Sequence, residues 1–551
     1  MKFLIRCKVL AFGIFLLSAH DASAIVFEVT TADEFQAALA TAASTDSEDQ
    51  IWLSPGRYLG PFQVAFDNGK TLKISSKNTD EEVSLSGESE IFILNIDGGE
   101  HEVNVILEDI EFHNGYNPSY GGAVSFFSKS ETSSLQIKNS SFLENTAKRG
   151  GAIYSQAASI LVQNSTFVGN KATGTLINYA GGAAIYVDKG SLSVVHSSFE
   201  NNDSTSSPDG GVIQNNPFSN SSLDNCSFVR NTGILLSTTR ARSLSLVNSA
   251  VAHQFSGVLY ARDLETVVLR SNEIDCISCG EMLKHRRIFG TFSGGEVEIS
   301  KNLLRGSGNI RMEFGSLGPK MTITGNEISF VNSSFETSAI ELVGYQSLDF
   351  VNNTVLDGLV TLSPKFGRDE YTSLVNNIFF NTEGDTDQVS LEAFTRSDSI
   401  SHNLIQRFSK GWDIEDSNDS SEPIFASIEQ LDLRLLSDSP GINAGNNDVV
   451  RDEEATDRDG SPRIVDGIID IGAYERSTTA LHPADTNSNS SISQDEFDAY
   501  NAAWRTNQAW PTAPAAIPVD FVTRAGYLLQ KGGTYKNIGV GKPQTWVPLS
   551  D

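Results

Sequence analysis

The oxygen-bearing side chains of Asp485, Asn487, Asn489, Ser491, Ser493 and Glu496 stand at positions 1, 3, 5, 7, 9 and 12 of one short segment. Calcium takes six to eight oxygen ligands, and a curled loop with this spacing turns them toward one centre, the last carboxylate supplying two. Ile492 falls where such a loop packs a short strand inward. Ser490 falls at position 6, where the backbone must be left-handed at a cost of about 1 kcal/mol or more for a residue with a Cβ. Only Asp485 and Glu496 are charged, so the expected affinity is weak, on the order of 10⁻⁴ to 10⁻³ M. A polar linker is the plain alternative.

Other reactive side chains are scattered. A polysaccharide lyase needs acids for calcium and a Lys or Arg base, and a glycoside hydrolase needs two carboxylates across the scissile bond. Glu108, Asp109, Glu111, Asp349 and Arg270 are of the right types. They form no repeated or clustered signature, so no catalytic residue is assigned and calcium is the one cofactor expected. Cys226, Cys276 and Cys279 follow Cys7 of the leader. Cys276 and Cys279 are placed for a local disulfide or remain inert thiols; a metal role lacks the second Cys pair or His cluster it would need.

The elements around the acidic loop are helical. Phe497, Tyr500 and Trp504 recur at helical spacing after it, Pro483 precludes a long helix before it, and a second helix is expected from about Asp520 to Lys531, ended by Gly532 and Gly533. The loop resembles an EF-hand, and the whole segment resembles half of a dockerin. That resemblance implies a structural calcium ion and an anchoring partner. The segment Lys531 to Asn537 carries no second acidic loop, which departs from the dockerin pattern and weakens the implied docking.

Most of the chain is a repeat. The unit is apolar, any, apolar, any, Asn, two variable residues, apolar, as in Leu135-Gln-Ile-Lys-Asn139-Ser-Ser-Phe142. The Asn place recurs at Asn164, His196, Asn225, Asn248, Asn272, Asn302, Asn326, Asn352, Asn376 and Asn403, at intervals between 23 and 32 residues. Each unit alternates like a strand and contains no amphipathic helix, which excludes helical solenoids, while a four-stranded propeller blade needs a longer period. Three short strands and three turns fit, so the expected fold is all-β, a right-handed parallel β-helix in which alternate side chains fill the coil. The Asn suits a left-handed corner, and its amide can stack on the next coil's.

A second pattern overlies the first coils. Gly-Gly-Ala recurs at Gly121, Gly150 and Gly181, with Gly210-Gly211-Val212 a near match, interleaved with Phe142-x-x-Asn145, Phe167-x-x-Asn170, Phe199-x-x-Asn202 and Phe228-x-x-Asn231. Over residues 104–232 this resembles the repeats of chlamydial polymorphic membrane proteins, which implies a surface adhesin. The autotransporter barrel of that family has no counterpart here.

Thr30 to Ala43, with Phe35, Ala38, Leu39 and Ala42 on one side, reads as a capping helix, and Ile51 to Tyr58 as a strand and turn. This start resembles pectin-lyase-like β-helices, whose cap covers the open end of the core. At the far end, Ser439-Pro-Gly-Ile-Asn-Ala-Gly445, Asp457-Arg-Asp-Gly-Ser-Pro-Arg463 and Asp470-Ile-Gly-Ala-Tyr-Glu475 resemble the choice-of-anchor Q block of bacterial surface β-helices. Asp452, Glu453, Glu454, Asp457 and Asp459 there read either as a solvated acidic loop or as calcium ligands.

Lys2, Arg6 and Lys8, the apolar run Val9 to Leu17 and Ala22-Ser-Ala24 read as a signal peptide cleaved after Ala24. No later apolar stretch is long enough for a transmembrane helix. The formal charge of −29 repels nucleic acid and anionic lipid. The expected organisation is a leader at 1–24, cap and first coils at 25–100, repeats at 101–430, a terminal block at 431–476 and the calcium module at 477–551. The expected protein is secreted or displayed at the cell surface. It is read as a non-catalytic adhesin or carbohydrate-binding rod whose partner is an extracellular polysaccharide or cell-surface component. The other reading is a polysaccharide lyase or glycoside hydrolase.

Overall fold

A computed structural model describes residues 5–8 and 24–549, apart from 176–180, 207–209, 216–219, 240, 253–256, 263, 277–280, 287–294, 307–308, 315–317, 331–338, 365–370, 383–386, 392–398, 408–416, 437, 452–454, 466, 477–480, 512–515, 538–542 and 544–545. Most of the expected leader, including the apolar run and Ala22-Ser23, lies outside the described residues. The chain forms two compact units, the first spanning 1–298, 304–320 and 330–345, the second 299–303, 321–329 and 346–551.

The first unit begins with helix α1 (Ala32–Ser44), whose start is set by Thr31: its hydroxyl accepts from the Glu34 amide at 3.2 Å, and Glu34 in turn accepts from the Thr30 amide at 2.8 Å. Phe35, Ala38, Leu39 and Ala42 are buried at the i, i+3, i+4, i+7 spacing of a single face. That face packs on strands Ile25–Val29, Asp49–Leu53 and Phe62–Ala65, as a cap should. The last turn is closed from below. Lys70 donates to the carbonyls of Ala42 and Thr45 and forms a fully buried ion pair with Asp49 at 3.3 Å. Asp49 also accepts from the Ser47 hydroxyl and the Ile25 amide.

From there every strand pairs in parallel with its counterpart one coil on. Lys70–Ser76 pairs with Val103–Glu108, that with Ser134–Lys138, and the series continues through Ile153–Gln163, Ile185–Val195, Asn220–Asp224, Ser243–Val247 and Thr266–Arg270. Short strands such as Glu111–His113, Ser141–Leu143 and Thr166–Val168 form a second ladder. The unit is thus a parallel β-solenoid. Phe112, Phe142, Phe167, Phe199 and Phe228 stack through its core with ring centroids 4.8–4.9 Å apart, the separation of adjacent strands. The glycine pairs turn the corners. Gly121 and Gly150 have positive φ (57° and 65°), and a Cβ on Gly122 or Gly151 would collide with the carbonyl oxygen of the next coil.

The corners also correct the reading of the Asn positions as one ladder; they belong to two adjacent columns. Asn139, Asn164, His196, Asn225, Asn248, Asn352 and Asn376 have φ between 50° and 59° and make the left-handed corner. The residue after each points inward. In the first unit this inner column is hydroxyl-rich: the Ser140 amide donates to Ser165 Oγ (3.2 Å) and the Ser165 amide to Ser197 Oγ (3.1 Å). In the second unit it is Asn302, Asn326, Asn353, Asn377, Asn403 and Asn418, each amide donating to the next at 2.8–3.1 Å. A separate buried ladder, Asn145–Asn170–Asn202–Asn231, stacks at 3.0 Å per step at the first unit's other corner.

The second unit continues the parallel pairing through Ser347–Val351, Tyr371–Val375 and Ser399–Ser401. Its terminal block seals the coil end: Phe425, Leu433, Leu435 and Ile471 join Leu356, Ile378 and Leu404 in one core. The unit also contains helices α2 (Gln494–Arg505) and α3 (Val519–Gln530) and an antiparallel hairpin, Tyr535–Asn537 with Trp546–Pro548. Ala484, Ile492, Tyr500, Val522, Leu528, Tyr535 and Trp546 form their core. Of the residues read at helical spacing, Tyr500 is buried and Trp504 is exposed at 37%.

Candidate functional sites

The acidic loop is built between His482 and α2. Ser493 caps α2: its hydroxyl accepts from the Glu496 amide, while Glu496 Oε2 accepts from the Ser493 amide at 2.9 Å. This capping box turns the Glu496 carboxylate back over the loop, where its other oxygen accepts from the Thr486 and Asn487 amides at 3.0 and 3.2 Å. Asp485 is buried; Oδ1 accepts from the Asn489 amide at 3.1 Å and Oδ2 from the Tyr535 hydroxyl at 2.7 Å. Asn487 and Asn489 each accept from the amide two residues on. Ser488 and Ser490 adopt φ of 60° and 59°, so position 6 takes the left-handed geometry although it is not glycine. Ser491 bridges Thr534, and the Ile492 amide donates to the Gly533 carbonyl at 2.9 Å.

Electrostatics follow burial. Desolvation pushes Asp485 up to about 6, against the hydrogen bond from Tyr535. Desolvation would raise Glu496 too, but the hydrogen bonds from Ser493, Thr486 and Asn487 outweigh it and hold the carboxyl below its usual value. His482 is pushed down to about 4 by burial; Nδ1 accepts from the Ala484 amide and Nε2 lies 3.0 Å from the Phe521 carbonyl, so the ring is a neutral spacer. Among the described residues no group of three or more His, Cys, Asp or Glu is placed to hold a metal ion; the loop's donor set is mainly amide and hydroxyl. Tyr535, which orients Asp485 from 50 residues away, carried no signal in the loop's own spacing.

Among the described acids of the terminal block, Asp457, Asp470 and Glu475 are buried rather than solvated, and they form no group placed to hold a metal ion. Asp457 accepts from the Ser461 and Glu475 amides (2.7 and 2.9 Å), Asp470 from Asn443 and Arg476 (both 2.7 Å), and Glu475 from Val465 and Asp470 (3.1 and 2.8 Å). Arg434 pairs with Asp459 at 2.8 Å. These carboxylates hold the loop backbone together. Asp452, Glu453 and Glu454 lie outside the described residues.

The groups considered for catalysis are mostly engaged. Glu108 pairs with Lys73, Arg270 grips Glu298 through two hydrogen bonds of 2.7 and 2.6 Å, and Asp349 accepts from Arg451 at 2.5 Å and from the Tyr371 hydroxyl at 3.2 Å. Asp109 occupies a left-handed corner and accepts from Asn139 at 3.2 Å. Glu111 differs: burial, then the charge of Glu82, raises its carboxyl above the usual range. His113 shares its strand, its imidazole pushed down by burial and by Arg57. Glu82 was not singled out from sequence; it stands two residues before Ser84, the register partner of Glu111 one coil back. Cys276 is disulfide-bonded and Cys226 is a buried free thiol; Cys279 lies outside the described residues.

Residues 139–156 match the Chlamydia polymorphic membrane protein repeat, a narrower stretch than the pattern suggested. No curated protein matches the chain in sequence. Among solved structures it is similar to the PL6 family alginate lyase AlyGC (13% identity, TM-score 0.34, covering 75% of this chain and 57% of that one). It is also similar to pectate lyase Pel9A (15% identity, TM-score 0.28, covering 80% and 91%). A third is a mannuronic acid specific polysaccharide family 6 lyase from human gut microbiota (10% identity, TM-score 0.30, covering 71% and 89%). The match thus spans little more than half the length of the first of these enzymes.

Proposed function

We propose that this chain is an extracellular or cell-surface binding rod. Its solenoid faces hold a polysaccharide or cell-surface component without cleaving it, and its C-terminal module is a calcium-stabilised unit that offers a site for an anchoring partner. The observation that carries this reading is the engagement of the charged groups: Lys73 with Glu108 and Arg270 with Glu298 pair between strands of successive coils, and Arg451 pairs with Asp349, a use that shapes a surface rather than reserving an acid or base. No helix among the described residues is long and apolar enough to cross a membrane, consistent with export by the leader.

In the module, Asp485, Asn487 and Asn489 side chains, the Ser491 carbonyl, Ser493 through a water and Glu496 would hold the ion. The left-handed Ser490 and the burial of Asp485 fit such a ligand. Bound calcium would supply the positive charge that two partly buried carboxylates otherwise lack.

Glu111 beside Glu82 favours a second reading, a glycoside hydrolase, because such enzymes work with a pair of carboxyl groups, one of them raised above its usual range by burial as Glu111 is. One experiment separates the two. The mature protein, with calcium, is incubated with pectic, alginate, sulfated and neutral glycans, and new reducing or unsaturated ends are followed alongside retention. Retention without cleavage supports the rod; cleavage lost in Glu111→Gln supports the hydrolase; neither leaves the binding reading refuted for glycans.

A further inference from the structure

On one sheet of the first unit the side chains that point away from the core stand in register from coil to coil. One column runs Ser134, Ser159, Ser191. Its neighbour runs Gln136, Leu161, Ser193, Ser222, Ser245. Serine at so many successive positions leaves the sheet surface low, and a shallow cavity of about 480 Å³ opens over it.

Two properties of this trough are informative. Its fourteen lining residues include no Asp, Glu, Lys, Arg or His, in a chain of which 20% is charged and whose net charge is −29. Several of its hydroxyls are also available: the side chains of Ser159, Ser191, Ser193, Ser222 and Ser245 have no hydrogen-bond partner among the described residues. Ser159 and Ser222 are exposed and the other three half-buried. Each hydroxyl offers one donor and two acceptors, repeated at the coil spacing of about 4.8 Å. Leu161 is the one large hydrocarbon side chain in these two outward columns, so the trough offers a protein partner or a second copy no cluster of large apolar side chains to bury. It lacks cations to hold a uronate or a sulfated chain against the protein's own negative field.

We infer that the trough binds an uncharged polysaccharide, its strand lying across successive coils and exchanging hydrogen bonds with the serine hydroxyls directly and through water. This deepens the binding-rod reading and rests on it. The ligand class differs from the anionic glycans toward which a charged face would point.

The test uses the full mature chain, isothermal titration and affinity electrophoresis with neutral β-glucan, xylan and mannan, and polygalacturonate and alginate as the charged counterparts. Ser193→Glu with Ser222→Glu places two charges in the trough on outward positions that the fold does not use; circular dichroism confirms that the variant is folded, and Glu88→Gln outside the trough is the control. The expected result is retention by a neutral glycan, unchanged by about 0.5 M salt and weakened roughly tenfold or more in the double variant. Binding of a neutral glycan that the double variant preserves overturns the trough while leaving the rod reading intact. Salt-sensitive binding of the uronates alone overturns the ligand class. A dimer that the double variant dissociates shows a second copy to be the occupant and overturns the proposal, and retention of no glycan removes both readings.

Discussion

The buried amide ladder should be worth more than the exposed corner beside it, and Asn170→Ala against Asn164→Ala measures the difference. Asn170 Oδ1 accepts from the Asn145 main-chain and side-chain amides, both at 3.0 Å, and its Nδ2 donates to the Phe142 carbonyl at 2.9 Å and to Asn202 Oδ1 at 3.0 Å. Alanine leaves the Asn145 N–H and one Asn145 amide hydrogen unpaired in a fully buried corner; the Phe142 carbonyl loses its side-chain donor but stays in the strand ladder, and Asn202 Oδ1 keeps the Asn170 main-chain amide. At about 1–3 kcal/mol for each orphaned group, the expected loss is about 3 kcal/mol if a water enters the vacated space and more if it stays dry. Asn164 has φ of 50° and makes one exposed bond to Asn139 at 3.2 Å. Alanine there costs about 1–2 kcal/mol, the price of a left-handed residue with a plain Cβ. Urea unfolding followed by far-ultraviolet circular dichroism, with equal slopes required for the comparison, reads both. Asn170→Asp adds a check: it keeps the acceptors, loses the donor and buries a charge, so it should be worse than alanine at neutral pH and recover in acid. If Asn170→Ala and Asn164→Ala differ by less than about 0.5 kcal/mol, the stacked amides are not what holds the corner.

Two further predictions concern the second unit. Calcium should bind the loop with a Kd of about 10⁻⁴ to 10⁻³ M and protect the amides of Ile492 and Tyr535 from hydrogen exchange; Glu496→Gln should abolish both effects, and calcium-independent exchange in the parent chain would sink the site. The terminal block should be steadier in mild acid. Burial raises Asp457 to about 7 and Glu475 to about 8, above their unfolded values. The folded block therefore holds protons more tightly than the unfolded chain, and its stability is lost as pH rises through that range. Exchange at Val465 and Asp470, corrected for intrinsic rates, should speed up between about pH 6 and 9; slower opening at the higher pH contradicts the assignment.

Much of the solenoid was legible because its signals are periodic. The cap helix is an example: Phe35, Ala38, Leu39 and Ala42 announce a face, and the described helix buries all four. The ladders were legible only in part. Alternation tells inside from outside along a strand, but a left-handed residue rotates the chain, so two consecutive polar positions take different roles at the corner. Asn352 and Asn353 are the clearest case: the first has φ of 57° and makes the corner, the second stacks on Asn377. Spacing alone cannot decide between adjacent asparagines, and it is silent where serine takes the inner place, as at Ser140, Ser165 and Ser197. The trough was illegible for the same reason: isolated serines are ordinary, and only the register of five coils makes them a surface.

The acids were hardest to read because residue type does not reveal what a carboxylate faces. Wherever the chain leaves the solenoid, its amides lose the parallel ladder and still need acceptors. Asp49 takes the Ile25 amide, Asp203 that of Thr205, Asp357 that of Thr382, and Asp457, Asp470 and Glu475 take six more between them. Part of the large acidic complement is therefore architectural, with carboxyl oxygens standing in for absent strands. The acidic loop follows the same rule with one difference. Asp485 and Glu496 also accept loop amides, but the loop's own amide oxygens and hydroxyls accompany them at a spacing that one cation could satisfy. The terminal block has no such accompaniment, because Arg434 and backbone amides already occupy its carboxylates. What separates the proposed metal loop from the acidic knot in this chain is the company of neutral oxygens rather than the number of acids.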